Sequence, residues 1–358
     1  MTTKIGRLDR LFFRLGWLSP QSELRIHPRI MAGIINYHLI ALLAFVPWLF
    51  AWPSVIACVA GIYVFGSLGI NIGFHRLLTH RGFACPRWLE RSLTVLGSCC
   101  WQGTPMNWVA IHRMHHQYSD ENDDPHSPKQ DGFFWSHMGW FMVYDPKIWS
   151  ISTYDRYARD LFRDRFIKSI ERMRVWRKIH FIQWAVFLVG GAVAGGFVTE
   201  SWMGALQMGL SMLVWGVFVR TVLVWHITWS VNSVTHLWGY RNFKTRDDSR
   251  NNWLVGVFGG GEGWHNNHHA QPRSAAHGMR WWELDWSWAT IWMMERVGLV
   301  WNVVRPRPVA EPLVVEGDAA TLPPQPASAS ALSAGASSGG ESTGTAPDTA
   351  EPTAPTLR

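Results

Sequence analysis

The sequence predicts an all-α integral membrane protein in which four transmembrane helices form two hairpins. Four apolar stretches occur, each close to the roughly 20 residues that a helix needs to cross a bilayer. Within each pair of stretches, only three residues join one to the next. Charged residues make up 16% of the chain and aromatic residues 14%, with 24 tryptophans. This composition favours a chain partly solvated by lipid over an ordinary soluble protein.

A basic segment, residues 1–29, precedes the first apolar stretch. It carries five arginines and the apolar residues Leu11, Phe12 and Trp17. We expect it to lie on the membrane surface as a short amphipathic helix. It lacks the short apolar core and small-residue cleavage site of a signal peptide.

The two predicted hairpins are each closed by a tight turn. Residues 51–53 form the first turn and residues 199–201 the second. Arg220 lies late in the fourth stretch, where its long side chain can reach the membrane interface. The predicted spans are residues 30–50, 54–74, 180–198 and 202–225.

Residues 75–180, between the hairpins, are too polar to cross a membrane. Lys and Arg are frequent here, in the basic segment and after Trp225, whereas neither short turn contains one. The positive-inside rule therefore places these three regions on the cytoplasmic side, where they would form a helical cap. The net charge of +7 then fits the anionic inner leaflet, and we expect no nucleic-acid partner.

The chain ends in residues 309–358, which are rich in Pro, Ala, Ser, Thr and Gly and contain no aromatic residue. Such a tail cannot bury enough apolar surface to offset its chain entropy, so we expect it to be disordered. The membrane domain is thus predicted at residues 30–308. None of the four cysteines has CxxC spacing, and free thiols are expected.

Histidines occur in groups around the apolar stretches. His112, His115 and His116 have the HxxHH spacing, which places three imidazoles on one helical face. The same spacing returns at His265, His268 and His269, while His236 stands alone before that group.

A looser pair, His75 and His80, is five residues apart, which rotates the two side chains about 140° from each other on an α-helix. We therefore expect this pair where the second span ends and its helical geometry loosens.

These nine histidines lie on one predicted side of the membrane, so they can meet at one site. Neutral imidazoles suit Fe, Zn or Cu. One zinc would take at most four of them, so nine predict more than one metal. The pattern indicates a membrane-embedded di-iron oxygenase.

The stretches HRLLTH, HRMHHQYSD and HNNHH, separated by two hydrophobic hairpins, resemble the three histidine boxes of the membrane fatty acyl desaturases, of the Δ9 stearoyl-type branch. DENDDPHSPKQDGFFWSHMGW and SVNSVTHLWGYRNF are also similar to that family, so the resemblance covers roughly residues 30–305. It implies four membrane helices with a cytosolic cap, two Fe²⁺ ions and a bent tunnel for a saturated acyl chain.

The resemblance also implies roles for individual residues. Asn232 matches the family asparagine that holds a metal through water. The implied metal ligands are His75, His80, His112, His115, His116, His236, His265, His268 and His269.

Other residues near the boxes receive supporting roles. Four carboxylates are candidates to orient ligand imidazoles: Asp120, Asp123, Asp124 and Glu262. Asp124 and Glu262 are favoured because they flank boxes. Trp108, Trp101 and Trp264 are candidates for the tunnel wall. His126 is expected to hydrogen-bond rather than to ligate, and His137, His180, His226 and His277 are interpreted as structural.

The implied activity is insertion of a cis double bond, at Δ9, with O2 and two electrons from a separate donor such as a ferredoxin or cytochrome b5. The substrate is an acyl-CoA or an acyl-lipid. The uncharged Val109, Ala110 and Ile111 before the second box weaken the case for contacts to a CoA head group.

Two alternatives remain open at the level of sequence. A di-iron hydroxylase can use the same boxes. A membrane metal transporter would place ionisable groups along its spans, whereas the clustered histidines lie outside them.

Overall fold

The structure is a computed structural model that describes residues 7–14 and 23–307. The predictions for the rest of the basic segment and for the tail at 309–358 lie outside the described residues. Regular structure is almost entirely helical. One short antiparallel pair joins β1 (Arg25–Ile26) to β2 (Val143–Tyr144), with Ile26 opposite Val143.

The helices are numbered in chain order. They are α1 (Arg7–Arg14), α2 (Pro28–Ala41), α3 (Trp52–Gly61), α4 (Arg87–Ser98), α5 (Pro105–Tyr118), α6 (Pro128–Asp131), α7 (Phe133–His137), α8 (Ile151–Tyr157), α9 (Arg165–Ile170), α10 (Met173–Thr199), α11 (Trp202–Leu213), α12 (Arg220–Leu237), α13 (Trp253–Phe258), α14 (His265–Ala270) and α15 (Trp286–Arg296). Two π-helical segments, Ile62–Thr79 and Val214–Val219, continue α3 and join α11 to α12.

Four helices in the described part of the chain are long and apolar enough to cross a membrane, which confirms the predicted fold class. The second and fourth spans continue past their predicted ends through polar residues near the boxes. The third begins earlier than predicted, and the first ends earlier. The spans are Pro28–Phe45 (first), Trp52–Thr79 (second), Met173–Thr199 (third) and Trp202–Leu237 (fourth).

Helices α4 and α5 form a hairpin whose tip enters the bundle of spans. The tip is fixed to two spans, because the Cys100 thiol donates to the Phe65 carbonyl at 3.2 Å and the Trp225 indole donates to the Cys100 carbonyl at 2.6 Å. Irregular backbone at membrane depth is tolerated where protein surrounds it, and Cys100 is fully buried. Helix α5 therefore begins inside the bundle of spans and extends toward the cap, where it places the second histidine box.

Arg220 binds the tip of this hairpin, and the expectation that it reaches the interface is wrong. Its side chain is fully buried, with the guanidinium 4.2 Å from the centre of the Phe65 ring. Its nitrogens donate to the carbonyls of Gly216, at 3.1 Å, and Cys99, at 3.5 Å. Cys99 follows the last residue of α4, so the cation lies at the negative end of that helix dipole.

Glu171 binds the other side of the hairpin, at the first turn of α5. Its carboxylate accepts from the Thr104 hydroxyl at 2.5 Å and from the Met106 amide at 2.8 Å. The carboxylate thus satisfies amide and hydroxyl donors at the start of the helix. Burial raises the pKa of Glu171 to about 7, although both hydrogen bonds oppose that change.

The crossing of α4 over the second span depends on two glycines, which gives a first prediction. A Cβ atom at Gly69 would lie 2.4 Å from the Gly97 nitrogen. We expect Gly69→Ala to lower the free energy of unfolding by about 2 kcal/mol, because backbones would have to separate. Thermal unfolding in detergent measures the change.

Gly190→Ala is the matched control, since a Cβ at Gly190 meets nothing within 4 Å in the part of the chain that the structure describes. It should change stability by less than about 0.5 kcal/mol. Equal effects of the two substitutions would contradict the close crossing.

Glu171 gives a second prediction, on pH. The folded pKa of about 7 lies above the unfolded value of 4.5, so the unfolded chain releases this proton first. Native stability should therefore fall by roughly 3 kcal/mol as pH rises from about 4.5 to 7. Glu171→Gln should flatten that part of the stability profile, whereas the exposed Glu121→Gln should leave it unchanged. A profile of Glu171→Gln that matches the unsubstituted protein would contradict the assignment.

Candidate metal centre

Four helical elements bring the nine histidines together above the bundle. His75 lies near the end of the second span, which closes at Thr79, and His80 follows directly. Helix α5 carries the second box, α14 carries the third, and α12 brings His236. The structure therefore places all nine in one region, although they are up to 194 residues apart in the chain.

Five of these side chains form a first group. Each offers one ligand atom, and these atoms all lie within 4.8 Å of one another. The Nε2 atom of His268 is 3.1 Å from that of His75 and 2.9 Å from that of His116, whose Nε2 is 3.0 Å from that of His112. The group consists of His75, His80, His112, His116 and His268.

The other four histidines form a second group of the same kind. The Nε2 atoms of His265 and His236 are 3.1 Å apart, and the His115 and His269 rings lie 5.2 Å apart between centroids. All four side chains are buried, and their ligand atoms again lie within 4.8 Å of one another. The boxes are shared between the groups, because His115 and His116 are neighbours on α5 but belong to different groups.

The π-helical end of the second span explains how His75 and His80 meet. The His80 amide donates to the His75 carbonyl at 3.1 Å, a bond five residues long. A π-helical turn brings residues i and i+5 together, which an α-helix does not. The ring centroids are consequently 4.8 Å apart. The expected loosening of the helix is present, in this specific form.

Buried carboxylates bind the Nδ1 atoms of four of the histidines. Glu262 lies 2.6 Å from His75 Nδ1, and Asp124 lies 3.0 Å from His115 Nδ1. Two further pairs, in the second group together with His115, are His236 with Asp120, at 2.8 Å, and His269 with Asp247, at 2.6 Å. A carboxylate at Nδ1 fixes the proton on that nitrogen and leaves Nε2 with a free lone pair.

The lone pairs of the Nε2 atoms are therefore available to a metal ion, and within each group the ligand atoms lie close together. The Nε2 atoms of His80, His115 and His269 are buried and have no hydrogen-bond partner among the described residues. Burial, followed by neighbouring imidazoles, holds the pKa of His112, His116, His265 and His268 well below the usual range. Neutral, converging imidazoles of this kind fit two transition-metal ions.

Arg76 connects the centre to two more elements. Its guanidinium donates to Glu262 at 2.9 Å and to the Ala275 carbonyl at 2.7 Å, and it lies 3.0 Å from Asp285. All three charged side chains are buried. Burial acts to raise the pKa of Glu262, but His277, His75 and Arg76 outweigh it and hold that pKa well below its usual value. The carboxylate that orients His75 is thus fixed from several sides.

Sequence reasoning missed part of this surrounding shell. Asp247 was not among the predicted carboxylates, whereas Asp120, a weaker candidate than Asp124 and Glu262, does bond His236. His277, interpreted as structural, lies 3.3 Å from Glu262 and forms a close group with it and His75. Nothing in the spacing of Asp247 or His277 relates them to a box, since tertiary packing alone brings them there. Asp123 instead pairs with Lys147 at the surface.

A small cavity of about 40 Å³ lies beside the first group. Trp108, Ile111, Trp140 and Trp229 give it apolar walls. Its full lining is Gln102, Trp108, Ile111, His112, His126, Trp140, Phe141, Thr228, Trp229 and Asn232.

The three tryptophans chosen from the sequence have different surroundings. Trp108 lines the cavity, and it stacks on His112 with 5.0 Å between ring centroids. Trp101 stacks on Tyr37 and Trp176 inside the bundle, and Trp264 donates to the Leu284 carbonyl. Neither of these two is among the cavity-lining residues, and their tunnel role stays a prediction.

The fold and the site define a class: a four-span membrane protein with a histidine-rich centre suited to two metal ions. Comparison with known proteins makes this specific, since residues 46–292 match the fatty acid desaturase family. The chain belongs to that family, as the three boxes predicted, and it is an oxidoreductase that desaturates fatty acyl chains with O2.

Three similar proteins show how far this relation extends. The sn-1 stearoyl-lipid 9-desaturase of Anabaena variabilis is 41% identical over 75% of this chain and 90% of its own length. The sn-2 palmitoyl-lipid 9-desaturase of Nostoc sp. (strain 36) is 40% identical over 76% of this chain and 88% of its own. The acyl-CoA C20 Delta5-desaturase of Anemone leveillei is 39% identical over 73% and 77%. Proteins with different bond positions and different acyl carriers are thus about equally similar to this chain.

The carboxylates give a third prediction. Asp124→Asn should remove the negative charge that holds the His115 proton on Nδ1, and iron affinity should fall about 10- to 100-fold. Asp123→Asn, one residue away but exposed and paired with Lys147, should leave it unchanged. Iron content after equilibration with a chelator measures both. Equal iron retention in the two variants would contradict the orienting role.

Proposed function

We propose that this protein inserts a cis double bond at the Δ9 position of a saturated acyl chain carried on a membrane lipid, at a centre of two Fe²⁺ ions. The observation that carries the proposal is the division of nine histidines into groups of five and four beside a cavity with aromatic walls. The lipid carrier and the Δ9 position are supported by the lipid 9-desaturases among its relatives. Acyl-CoA is the alternative carrier, and the experiment below separates the two.

The chemistry requires a strong oxidant, because unactivated C–H bonds are broken. Hydrogens leave two adjacent carbons and a double bond forms. O2 is reduced to water with two electrons and two protons from outside. The iron pair, when bound, would supply this oxidation by activating O2. We assign its ligands to His75, His80, His112, His116 and His268 in one group and to His115, His236, His265 and His269 in the other.

Asn232 is positioned to take part through water. It lies one helical turn before His236 on α12 and faces the same cavity as His112. We propose that its amide holds a water molecule against the metal centre. The cavity walls keep other water away from the reacting carbons, since Trp108, Phe141 and Trp229 present aromatic surface there.

Selection of the reacting carbons must be geometric, because one methylene group resembles the next. A cavity that holds the chain in one position offers only certain carbons to the centre. Trp108 is suited to this role because it contacts both the cavity and the His112 ring.

We place the centre on the cytoplasmic side of the inner membrane, from the distribution of Lys and Arg. We assign the supply of the two electrons to a separate ferredoxin- or cytochrome b5-type protein.

Expression in a host that lacks unsaturated fatty acids tests the proposal. We expect new monounsaturated chains with the double bond at Δ9, with no retained oxygen, and appearing first in intact lipids. Mass spectrometry maps the bond and the carrier over time. A hydroxylated product would contradict desaturation. Monounsaturated chains that appear first in acyl-CoA would show that acyl-CoA is the carrier.

Histidine substitutions give a further prediction, on the metal ligands. His115→Ala and His268→Ala, one in each group, should each abolish activity and lower iron content while leaving membrane insertion intact. His137→Ala is a control, because His137 bonds Ser233 and His226 and belongs to neither group. Full turnover in His115→Ala or His268→Ala would remove that histidine from the ligands.

A further inference from the structure

The region after the fourth span has an unusually apolar outer surface. Helix α13, with sequence WLVGVF, exposes 67% of Trp253, 50% of Leu254 and 66% of Phe258. More large apolar side chains are exposed between residues 281 and 297. They are Trp281, Trp282, Leu284, Trp286, Trp292, Met293 and Val297. We call these ten residues the apolar rim.

Two of the three acidic residues between residues 281 and 297 point inward, and the third, Glu295, is half-buried and paired with Arg305. Glu283 is 4% exposed and accepts from Tyr240 and Asn267. Asp285 is 9% exposed and bonds Arg76. Ten large apolar side chains exposed in one region would be exceptional on the surface of a soluble protein.

Contacts to the second span place helix α15 at membrane depth. The hydroxyls of Tyr63 and Thr290 are 2.7 Å apart. Tyr63 follows Trp52, the first residue of the span, by 11 residues, or about 16 Å of helix. Because the hydrocarbon core is about 30 Å thick, Tyr63 lies near its middle.

A second contact defines the level at which the rim enters the membrane. The Asn71 amide donates to the Gly259 carbonyl at 2.8 Å and to the Ser287 hydroxyl at 3.4 Å. Asn71 lies 19 residues after Trp52, where a span that starts at Trp52 leaves the hydrocarbon core. The end of α13 and the start of α15 are therefore held at the membrane boundary.

Basic residues at the edges of the rim fit the same placement. Arg280 lies over the Trp282 ring at 5.3 Å, and Arg296 lies over the Trp292 ring at 5.0 Å. Tryptophan with flanking arginine is typical of the layer where lipid head groups meet hydrocarbon.

We propose that the apolar rim is immersed in the cytoplasmic leaflet, so that this part of the cap is bound by lipid and not by water. Its partner is the bilayer itself, with the rim tryptophans at acyl-chain level and Arg280 and Arg296 at the anionic head groups. This placement depends on the depth of the spans in the membrane and is independent of the reaction at the metal centre.

Immersion also positions the third histidine box. Residues 259–264 connect α13 directly to α14, and Trp264 donates to the Leu284 carbonyl at 2.9 Å. Both ends of the loop that precedes His265 are thus attached to lipid-facing elements. The depth of the rim in the leaflet fixes the height of this box above the membrane.

Spin labels in lipid vesicles test the placement. Leu254→Cys, Phe258→Cys and Met293→Cys each receive a nitroxide, and the full-length protein is reconstituted in vesicles that contain anionic lipid. Val189→Cys in the third span is the lipid reference, and Asp155→Cys on α8 is the water reference. The unsubstituted protein, with its four native cysteines, gives the labelling background.

Collision with O2 and with a water-soluble nickel chelate is then measured for each label. We expect rim labels to collide with nickel at least about threefold less often than the label at Asp155, and with O2 about as often as the label at Val189. Nickel collisions within threefold of the Asp155 value would overturn the proposal. Low collision rates with both reagents would also overturn it, because they would indicate a protein partner.

A charge substitution gives an independent measurement. Phe258→Glu should lower the midpoint of thermal unfolding in vesicles, because lipid would surround the carboxylate. Ile151→Glu is the control, since Ile151 is 83% exposed on α8 and lies outside the rim. Equal shifts in the two variants would contradict immersion.

Discussion

The metal centre depends on one interaction, the hydrogen bond between a buried carboxylate and the Nδ1 atom of a histidine. Glu262, Asp124, Asp120 and Asp247 each make it. An imidazole can point either nitrogen toward a metal, and without such a partner each ring would choose between two tautomers. The carboxylates remove that choice, so that Nε2 atoms from four separate helical elements face common points. A neutral acceptor at Nδ1 would fix the tautomer less strongly. A carboxylate adds its negative charge, which attracts the Nδ1–H dipole of the imidazole.

The bundle below supports this arrangement by irregularities in otherwise regular helices. The π-helical end of the second span brings His75 and His80 onto one side, and the hairpin of α4 and α5 starts the second box from inside the membrane. Each irregularity leaves polar groups at membrane depth, and each has its own partner. Arg220 binds the carbonyl of Cys99, and Trp225 binds that of Cys100. These two polar residues of the spans are therefore structural supports for the site.

The cap is joined to the bundle by buried charge as well as by packing. Arg76, at the end of the second span, contacts Glu262 before the third box and Asp285 at the start of α15. Removing one member of such a buried network leaves an uncompensated charge and costs about 3–5 kcal/mol. The same network turns both acidic residues inward and leaves tryptophan and leucine on the outer surface. The contacts of Arg76 with Glu262 and Asp285 thus support both the metal centre and the outer surface of the cap.

The sequence by itself determined the class of fold, the four spans and the histidines of the three boxes. Apolar length and the HxxHH spacing are local properties, and helix geometry converts them directly into spans and faces. Resemblance to the family added His236 and Asn232, which spacing does not distinguish. Only the tertiary structure decided which histidines share a group, because His115 and His116 are adjacent on α5 but face different partners. It also decided the roles of Asp247, His277 and Arg220, whose neighbours lie far away in the chain. No local pattern records a contact of that kind, since packing between helices creates it.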